Sequence, residues 1–463
     1  MKIEDTIAKI FLDSAYDELS PEVVEISKKQ VLDGIAVALA GSNAEGVADL
    51  VEIVKEWGGS KQASIINYGI RVPAPHAAQI NAAMIHALDF DDSSDVAVMH
   101  PGVCILATCL AMAEYTGKLS GQDLILCLAL GTNLVHRLGR ATRPHGSLVD
   151  IGWHTTPMYG VLGSAAVSAK ILGLSVEQMH NSLGIAYHQA SGNLQCIYDG
   201  ALTKRMGPGF AARNGIISAL MAKKGLTGAT NWLTGKAGLI NLFHQGDFDT
   251  DILVEDFEKC FDSLDLTFKP YPCCRITHAF IDATLHLMNE FNIDVDSIES
   301  ISIFAGEGAY SLCSPLEIKQ NPRNTVDAQF SIPWVVATAA SKGKVKMADF
   351  SDKAVHDPAT RKIAQTTHAY LDNNLVGHGI QPGRITIKTI SGQDFTKQID
   401  YPLGNPHNPM SSAAVIDKFL DCNAYALHPI SKENTDKLIG LTKNLEKVRN
   451  VIEIIQKISC CNT

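Results

Sequence analysis

The chain has 463 residues, of which 46% are hydrophobic and 19% charged, and its formal net charge is −10. That length exceeds one ordinary core and sets two domains as the expectation, while the globular balance excludes disorder and collagen-like repetition. The acidic field excludes nucleic acid and an anionic membrane as expected partners, and an anionic substrate would need local Lys, Arg and His to overcome it.

Taken in chain order, the opening MKIEDTIAKIFLDSAYDELS is amphipathic. It lacks the basic n-region, apolar core and cleavage site of a signal peptide. Ser20-Pro21-Glu22 starts a helix, since Ser caps, Pro suits the first helical position and an acid follows. Val23, Val24, Ile26, Val31, Leu32, Ile35 and Leu39 recur on a helical period and Gly41 ends it. Gly58-Gly59 closes the next helix, and a short strand is expected at residues 63–66. The apolar stretch at residues 103–113 is too short to span a membrane. Ser120 opens a further helix, and Ser175-Val176-Glu177-Gln178 has the form of a capping box. Small residues such as Gly163-Ser164-Ala165-Ala166 and Ala211-Ala212 suit closely packed helices.

From about residue 266 the pattern changes. A strand is expected at 297–304, a helix at 327–341, and a β-hairpin from 384–390 and 394–399 around Ser-Gly-Gln. The chain then turns helical, ending with 435–458. The expected architecture is a mainly α, helical-bundle domain (1–265), a smaller α+β lid domain (266–400), and C-terminal helices (401–463) that return to the bundle. The eleven cysteines are scattered without a CxxC pair, though Cys273–Cys274 and Cys460–Cys461 are adjacent. Reduced thiols and a cytoplasmic location are the expectation.

Four segments carry chemistry. The first is His86-Ala-Leu-Asp89-Phe-Asp91-Asp92-Ser93-Ser94-Asp95, followed by His100-Pro101-Gly102. Crowded acids repel and call for hydrogen bonds, a metal or raised pKa values, and acids at a helix C-terminus oppose its dipole. The bland reading is a solvated, capped helix end. The second runs from His145 to Gly152-Trp153-His154-Thr155-Thr156. His154 stands where a helix begins, and the dipole there keeps an imidazole neutral; the bland reading is a hydrogen-bonded core histidine. The third, Asp199 to Gly209, places Lys204 and Arg205 before a glycine-rich helix start that could cradle an anion. It is neither a Walker A loop nor GxGxxG, and a plain surface loop is the alternative. The fourth is Phe268-Lys269-Pro270-Tyr271-Pro272-Cys273-Cys274-Arg275 with His278, where thiol burial is commoner than nucleophilic use. Acids, His and Lys without a cofactor motif suit proton transfer beside carboxylates.

These blocks, HALDFDDS with HPG, GWHTT, LTKRMGPGFAARNG, FKPYPCCRITH and DAQFSIPWVVATAASKGKV, run in order and resemble the MmgE/PrpD family. That family includes 2-methylcitrate dehydratases, cis-aconitate decarboxylases and iminodisuccinate epimerases. The resemblance implies a helical domain completed by the C-terminal helices, an α+β lid, a site between the two, a homodimer, and no metal or organic cofactor. It carries Asp89, His100, His154, Lys204 and Lys269 over as site residues, with Ser93 where a Thr is usual. The Asp89 to His100 spacing is one residue longer than in the decarboxylase, Cys274 replaces a His, and the lid-domain Tyr has no equivalent.

The reading that follows is a cofactor-independent lyase, a dehydratase of a hydroxylated di- or tricarboxylate. Asp89, His100 and His154 are the acid/base candidates, with no assignment of base and acid. Ser93, Lys204, Arg205, Lys269, Tyr271 and Cys274 are the substrate-binding candidates. Epimerisation or decarboxylation of a related acid is the nearest alternative. A non-catalytic dimeric binding protein and a metal-dependent hydrolase are more distant ones.

Overall fold

The structure is a computed structural model that describes residues 2–142, 151–257, 260–376 and 382–459. His145 and the Cys460–Cys461 pair lie outside the described residues. The chain folds into two compact units, one of residues 1–198, 202–266 and 411–463, the other of 199–201 and 267–410.

The first unit is helical. Ser20 Oγ accepts from the Val23 amide and starts helix Pro21–Gly41; Gly58 ends helix Val47–Trp57. Capping boxes at Ser120 and Ser175 start helices Gly121–Arg140 and Val176–Tyr187. Helix Ala74–His86 is buried on nearly every side, as are Gly102–Thr116 and Thr155–Ile171. Their lack of a polar stripe is what a central helix requires. Helix Thr203–Lys223 packs against Thr155–Ile171, Ala74–His86 and Val176–Tyr187. Its small residues permit this: a Cβ at Gly215 would lie 2.4 Å from Ser164 Cβ. Lys204 and Arg205 sit in the first turn of that helix rather than ahead of it. Helix Ser412–Ala424 packs on Pro21–Gly41. The continuous helix expected at 435–458 is instead Lys432–Lys443, a 3-10 turn and Ile452–Ile458. Asn444 leaves helical geometry, and Asn450 Oδ1 accepts from the Ile452 amide, the cap role Asn favours over helix interiors.

The second unit is built on a four-stranded sheet in the order Thr367–Leu371, Ile298–Ala305, Gly383–Thr389, Asp394–Ile399. The first pair is parallel and the others antiparallel. Alternate residues Ile301, Ile303, Ile385 and Ile387 are fully buried, as period-two patterning demands. Helices His278–Glu290 and Ile332–Lys342 join the same core. The single helix expected at 327–341 is two, Thr325–Gln329 and Ile332–Lys342. Ser331 Oγ accepts from the Trp334 amide, and with Pro333 it makes a fresh N-terminus there.

Among the described residues, no helix is long and apolar enough to cross a membrane. No disulfide joins the cysteines among them.

Candidate active site

Helix Ala74–His86 ends in the acid segment, and Asp89 takes a left-handed conformation at φ 52°. A non-glycine residue there is uncommon and turns the chain sharply. Three side chains hold the loop that follows. Gln30 Nε2 donates to Asp92 Oδ2 (2.6 Å) and Lys418 Nζ donates to the Phe90 carbonyl (2.7 Å). Ser94 Oγ donates to His136 Nε2, whose Nδ1–H donates to the Asp262 carbonyl. Asp92 Oδ1 accepts from the Gly102 amide at 3.1 Å, the first residue of helix Gly102–Thr116. The dipole conflict read from the sequence is therefore reversed for this acid, which faces a helix N-terminus. Gly102 has no alternative: a Cβ would fall 2.1 Å from both Asp92 Oδ2 and Gln30 Nε2.

Inside this frame the polar groups converge. Lys204 Nζ forms an ion pair with Asp89 Oδ1, both side chains nearly buried. His100 Nε2 lies 3.7 Å from the same oxygen. Asp91 Oδ2 lies 2.9 Å from His86 Nδ1 and 3.2 Å from His100 Nδ1. The His86 ring stands edge-on to His100 (4.6 Å between centroids) and 6.0 Å from His154. His154 is the N-cap residue of helix Thr155–Ile171, and the next turn's Thr156 Oγ1 accepts from the His100 amide.

Electrostatics divide these groups into two sets. Burial pushes His86 down to about 4, against the pull of Asp91. Burial also holds His154 well below the ordinary histidine value, with His86 and Lys204 adding to it. Its neutrality thus rests first on desolvation rather than on the helix dipole invoked from sequence. Burial opposes charge on Asp91, but His100 and His86 outweigh it and hold the carboxyl well below the usual range. Asp92 goes the other way: burial, then the Asp91 charge, raise it to about 7.

His86, Asp89, Asp91 and His100 offer ligand atoms within 4.8 Å of one another, a donor set a divalent cation could use. A cation would have to displace Lys204 from Asp89 and break the imidazole bonds to Asp91. The arrangement as it stands is a proton-bearing network already supplied with positive charge by Lys204.

The remaining sequence candidates make contacts of their own. Ser93 Oγ is buried in the acid loop, with no hydrogen-bond partner among the described residues. Arg205 Nη1 donates to the Glu45 carbonyl (2.9 Å). Lys269, Tyr271 and Cys274 belong to the second unit. Lys269 there is fully buried, the Cys274 amide donates to the Gln329 carbonyl, and Tyr271 Oη donates to Asp282 Oδ1 (2.7 Å). Sequence reasoning passed over His86, Asp91, Gln30 and Lys418 as site residues. His86 and Asp91 stood inside the quoted acid segment; Gln30 and Lys418 carry no local signal.

Comparison with known proteins places the chain in a family. The MmgE/PrpD N-terminal domain model matches residues 5–251 and the MmgE/PrpD C-terminal domain model matches 271–444. The cis-aconitate decarboxylase of Aspergillus terreus is 25% identical over 96% of this chain and 94% of its own length. The cis-aconitate decarboxylase of Homo sapiens is 26% identical over 93% and 89%, and that of Mus musculus 24% over 94% and 88%. With both domain models matched in order along one chain, the protein belongs to the MmgE/PrpD family.

Proposed function

We propose that the protein is a cofactor-independent lyase that moves a proton on a small di- or tricarboxylate, with decarboxylation of a cis-aconitate-like acid as the first reaction to test. The observation that carries the class of chemistry is the Lys204–Asp89 ion pair set beside the rings of His86, His100 and His154 in a buried setting. The relatives named as decarboxylases favour that outcome over dehydration.

In this reading Lys204 binds a substrate carboxylate and exchanges its partner from Asp89 to the substrate. Loss of carbon dioxide breaks a C–C bond and leaves the electron pair on carbon, and the ammonium charge stabilises the developing anion. A proton from an imidazole then completes the product. Ser93, with its buried hydroxyl, is a second contact for substrate oxygen. Lys269 carries forward from the sequence pattern as a further carboxylate-binding candidate, and the homodimer is retained as the assembly to test by light scattering.

Dehydration of a hydroxylated di- or tricarboxylate is the second reading. It is favoured by Cys274, which stands where the decarboxylase pattern has a histidine. Incubation with cis-aconitate, citrate and 2-methylcitrate in separate reactions decides between them. Carbon dioxide release from cis-aconitate supports the first reading; a new absorbing alkene from a hydroxy acid without gas supports the second. Deuterium exchange with neither would point to epimerisation, and inertness toward all three acids would refute the reading.

A further inference from the structure

The proposed chemistry gives no part to Asp91, and sets the His86 ring beside the site without a task, although both are packed groups at its centre. Asp91 Oδ2 receives two imidazoles at once, His86 Nδ1 at 2.9 Å and His100 Nδ1 at 3.2 Å. His100 Nδ1 also lies 2.8 Å from the Asp92 carbonyl. A carboxylate and a carbonyl can only accept, so the proton of each ring must sit on Nδ1. In the neutral ring that leaves Nε2 of His100 with its lone pair, 3.7 Å from Asp89 Oδ1 and on the side where Lys204 is paired. The second Asp91 oxygen and His86 Nε2 are both buried without a hydrogen-bond partner among the described residues. Neither atom therefore competes for the His100 ring.

We propose that Asp91 is the positioning residue of this site: it fixes His100 with Nε2 as the proton-exchanging nitrogen, and His86 holds the Asp91 carboxylate in place from behind. When Nε2 gains a proton, the ring becomes an imidazolium whose Nδ1–H still donates to Asp91, so the added charge meets a fixed anion. When Nε2 delivers that proton to a substrate carbon, the ring returns to the neutral Nδ1–H form and nothing has to turn. The proposal rests on the proton-transfer reading above for its use, but the tautomer it requires exists without substrate.

The test has two arms. The first labels histidine with nitrogen-15 in the wild-type protein and records two-bond proton–nitrogen correlations at pH 8, with His100 identified by the signal lost in His100→Gln. His100 in the neutral Nδ1–H form is the result expected; an Nε2–H tautomer overturns the proposal. The second compares Asp91→Asn with wild type on whichever of cis-aconitate, citrate or 2-methylcitrate the wild type turns over. We expect kcat to fall about 10²-fold or more with KM within about threefold, at unchanged melting temperature, because general acid/base help is of that order. Unchanged kcat, or a change confined to KM, overturns it. If the wild type acts on none of these acids, the functional reading fails, whereas the tautomer arm still decides the role of Asp91, as it also does should the variant not fold.

Discussion

Replacing Asp92 by Asn separates the charge of the acid loop from its shape. Asp92 is 5% exposed, and burial together with the neighbouring Asp91 charge raises its carboxyl from 3.8 to about 7. A folded-state value above the unfolded one means that the native protein holds a proton between pH 3.8 and about 7 that the unfolded chain has released. The stabilisation is then complete below 3.8 and is lost as pH rises through about 7. The slope is about 1.4 kcal/mol per pH unit, so from pH 5 to pH 8 wild type loses about 3 kcal/mol at this one group. Against a total stability of about 5–15 kcal/mol, that is a large share. The amide of Asp92→Asn cannot ionise, so it does not follow this loss.

The variant does leave one donor facing an amide NH2, because Gln30 and the Gly102 amide both donate to Asp92. That costs about 1–3 kcal/mol but is the same at every pH. The measurement that isolates the charge is therefore a difference of differences. Urea unfolding of both proteins at pH 5 and pH 8 should show Asp92→Asn gaining about 3 kcal/mol on wild type between the two. His86 runs in the opposite sense. Its folded value of about 4 lies below 6.5, so its contribution is present above 6.5 and lost as pH falls toward 4. In wild type the two slopes offset each other between about pH 4 and 6.5; in the variant the His86 slope is exposed and acid stability declines more steeply. An equal stability gap at pH 5 and pH 8 would mean that Asp92 is ionised throughout, and the electrostatic division of the loop would be wrong.

Other outcomes follow from the same contacts. Lys204→Ala should lose about 10²- to 10³-fold in kcat, the worth of one donor aimed at developing charge, while His154→Ala loses most activity and stays folded; wild-type turnover by both variants would remove the site. Gly102→Ala should lower the unfolding free energy by about 1–3 kcal/mol or more, because its methyl must displace Asp92 or Gln30, and an unchanged melting temperature would show that the loop yields freely. Lys418→Met severs the bond to the Phe90 carbonyl and a buried ion pair with Asp33 (2.7 Å); a destabilisation of about 3–5 kcal/mol is expected by calorimetry. Exhaustive chelation should leave activity intact, since Lys204 already supplies the positive charge at Asp89; loss restored by a divalent metal would turn the His86, Asp89, Asp91 and His100 group into a metal centre.

What could be read ahead of the structure depended on how local each signal was. Ser20, Ser120 and Ser175 announce helix starts because a cap is a contact between residues three apart. The hairpin at Gly383–Thr389 and Asp394–Ile399 is legible for the same reason, as alternation meets a glycine turn. The helix breaks at Ser331 and Asn444 were missed because a polar residue in an otherwise helical period reads equally well as a solvated face. In the site, Asp89, His100, His154 and Lys204 were visible as unusual residues in dense motifs. Their partners were harder to find in proportion to their distance: His86 is five residues from Asp91, Gln30 sixty-two from Asp92, and Lys418 three hundred and twenty-eight from Phe90.

That last distance bears on why the acid loop works at all. A left-handed aspartate and three further acids within seven residues form a segment whose own interactions are repulsive. Its conformation has to be imposed by groups outside it: Lys418 from the C-terminal helices, Gln30 from helix Pro21–Gly41, and the backbone of helix Gly102–Thr116. Lys418 does this with a charge that also pairs with Asp33 and lies 3.9 Å over the Phe90 ring, so the tether is rigid as well as attractive. The C-terminal helices are thus part of the acid loop's geometry, although they carry none of the proposed acid/base groups. A chain cut before residue 411 should keep every acid/base candidate in the proposal and still lose its activity.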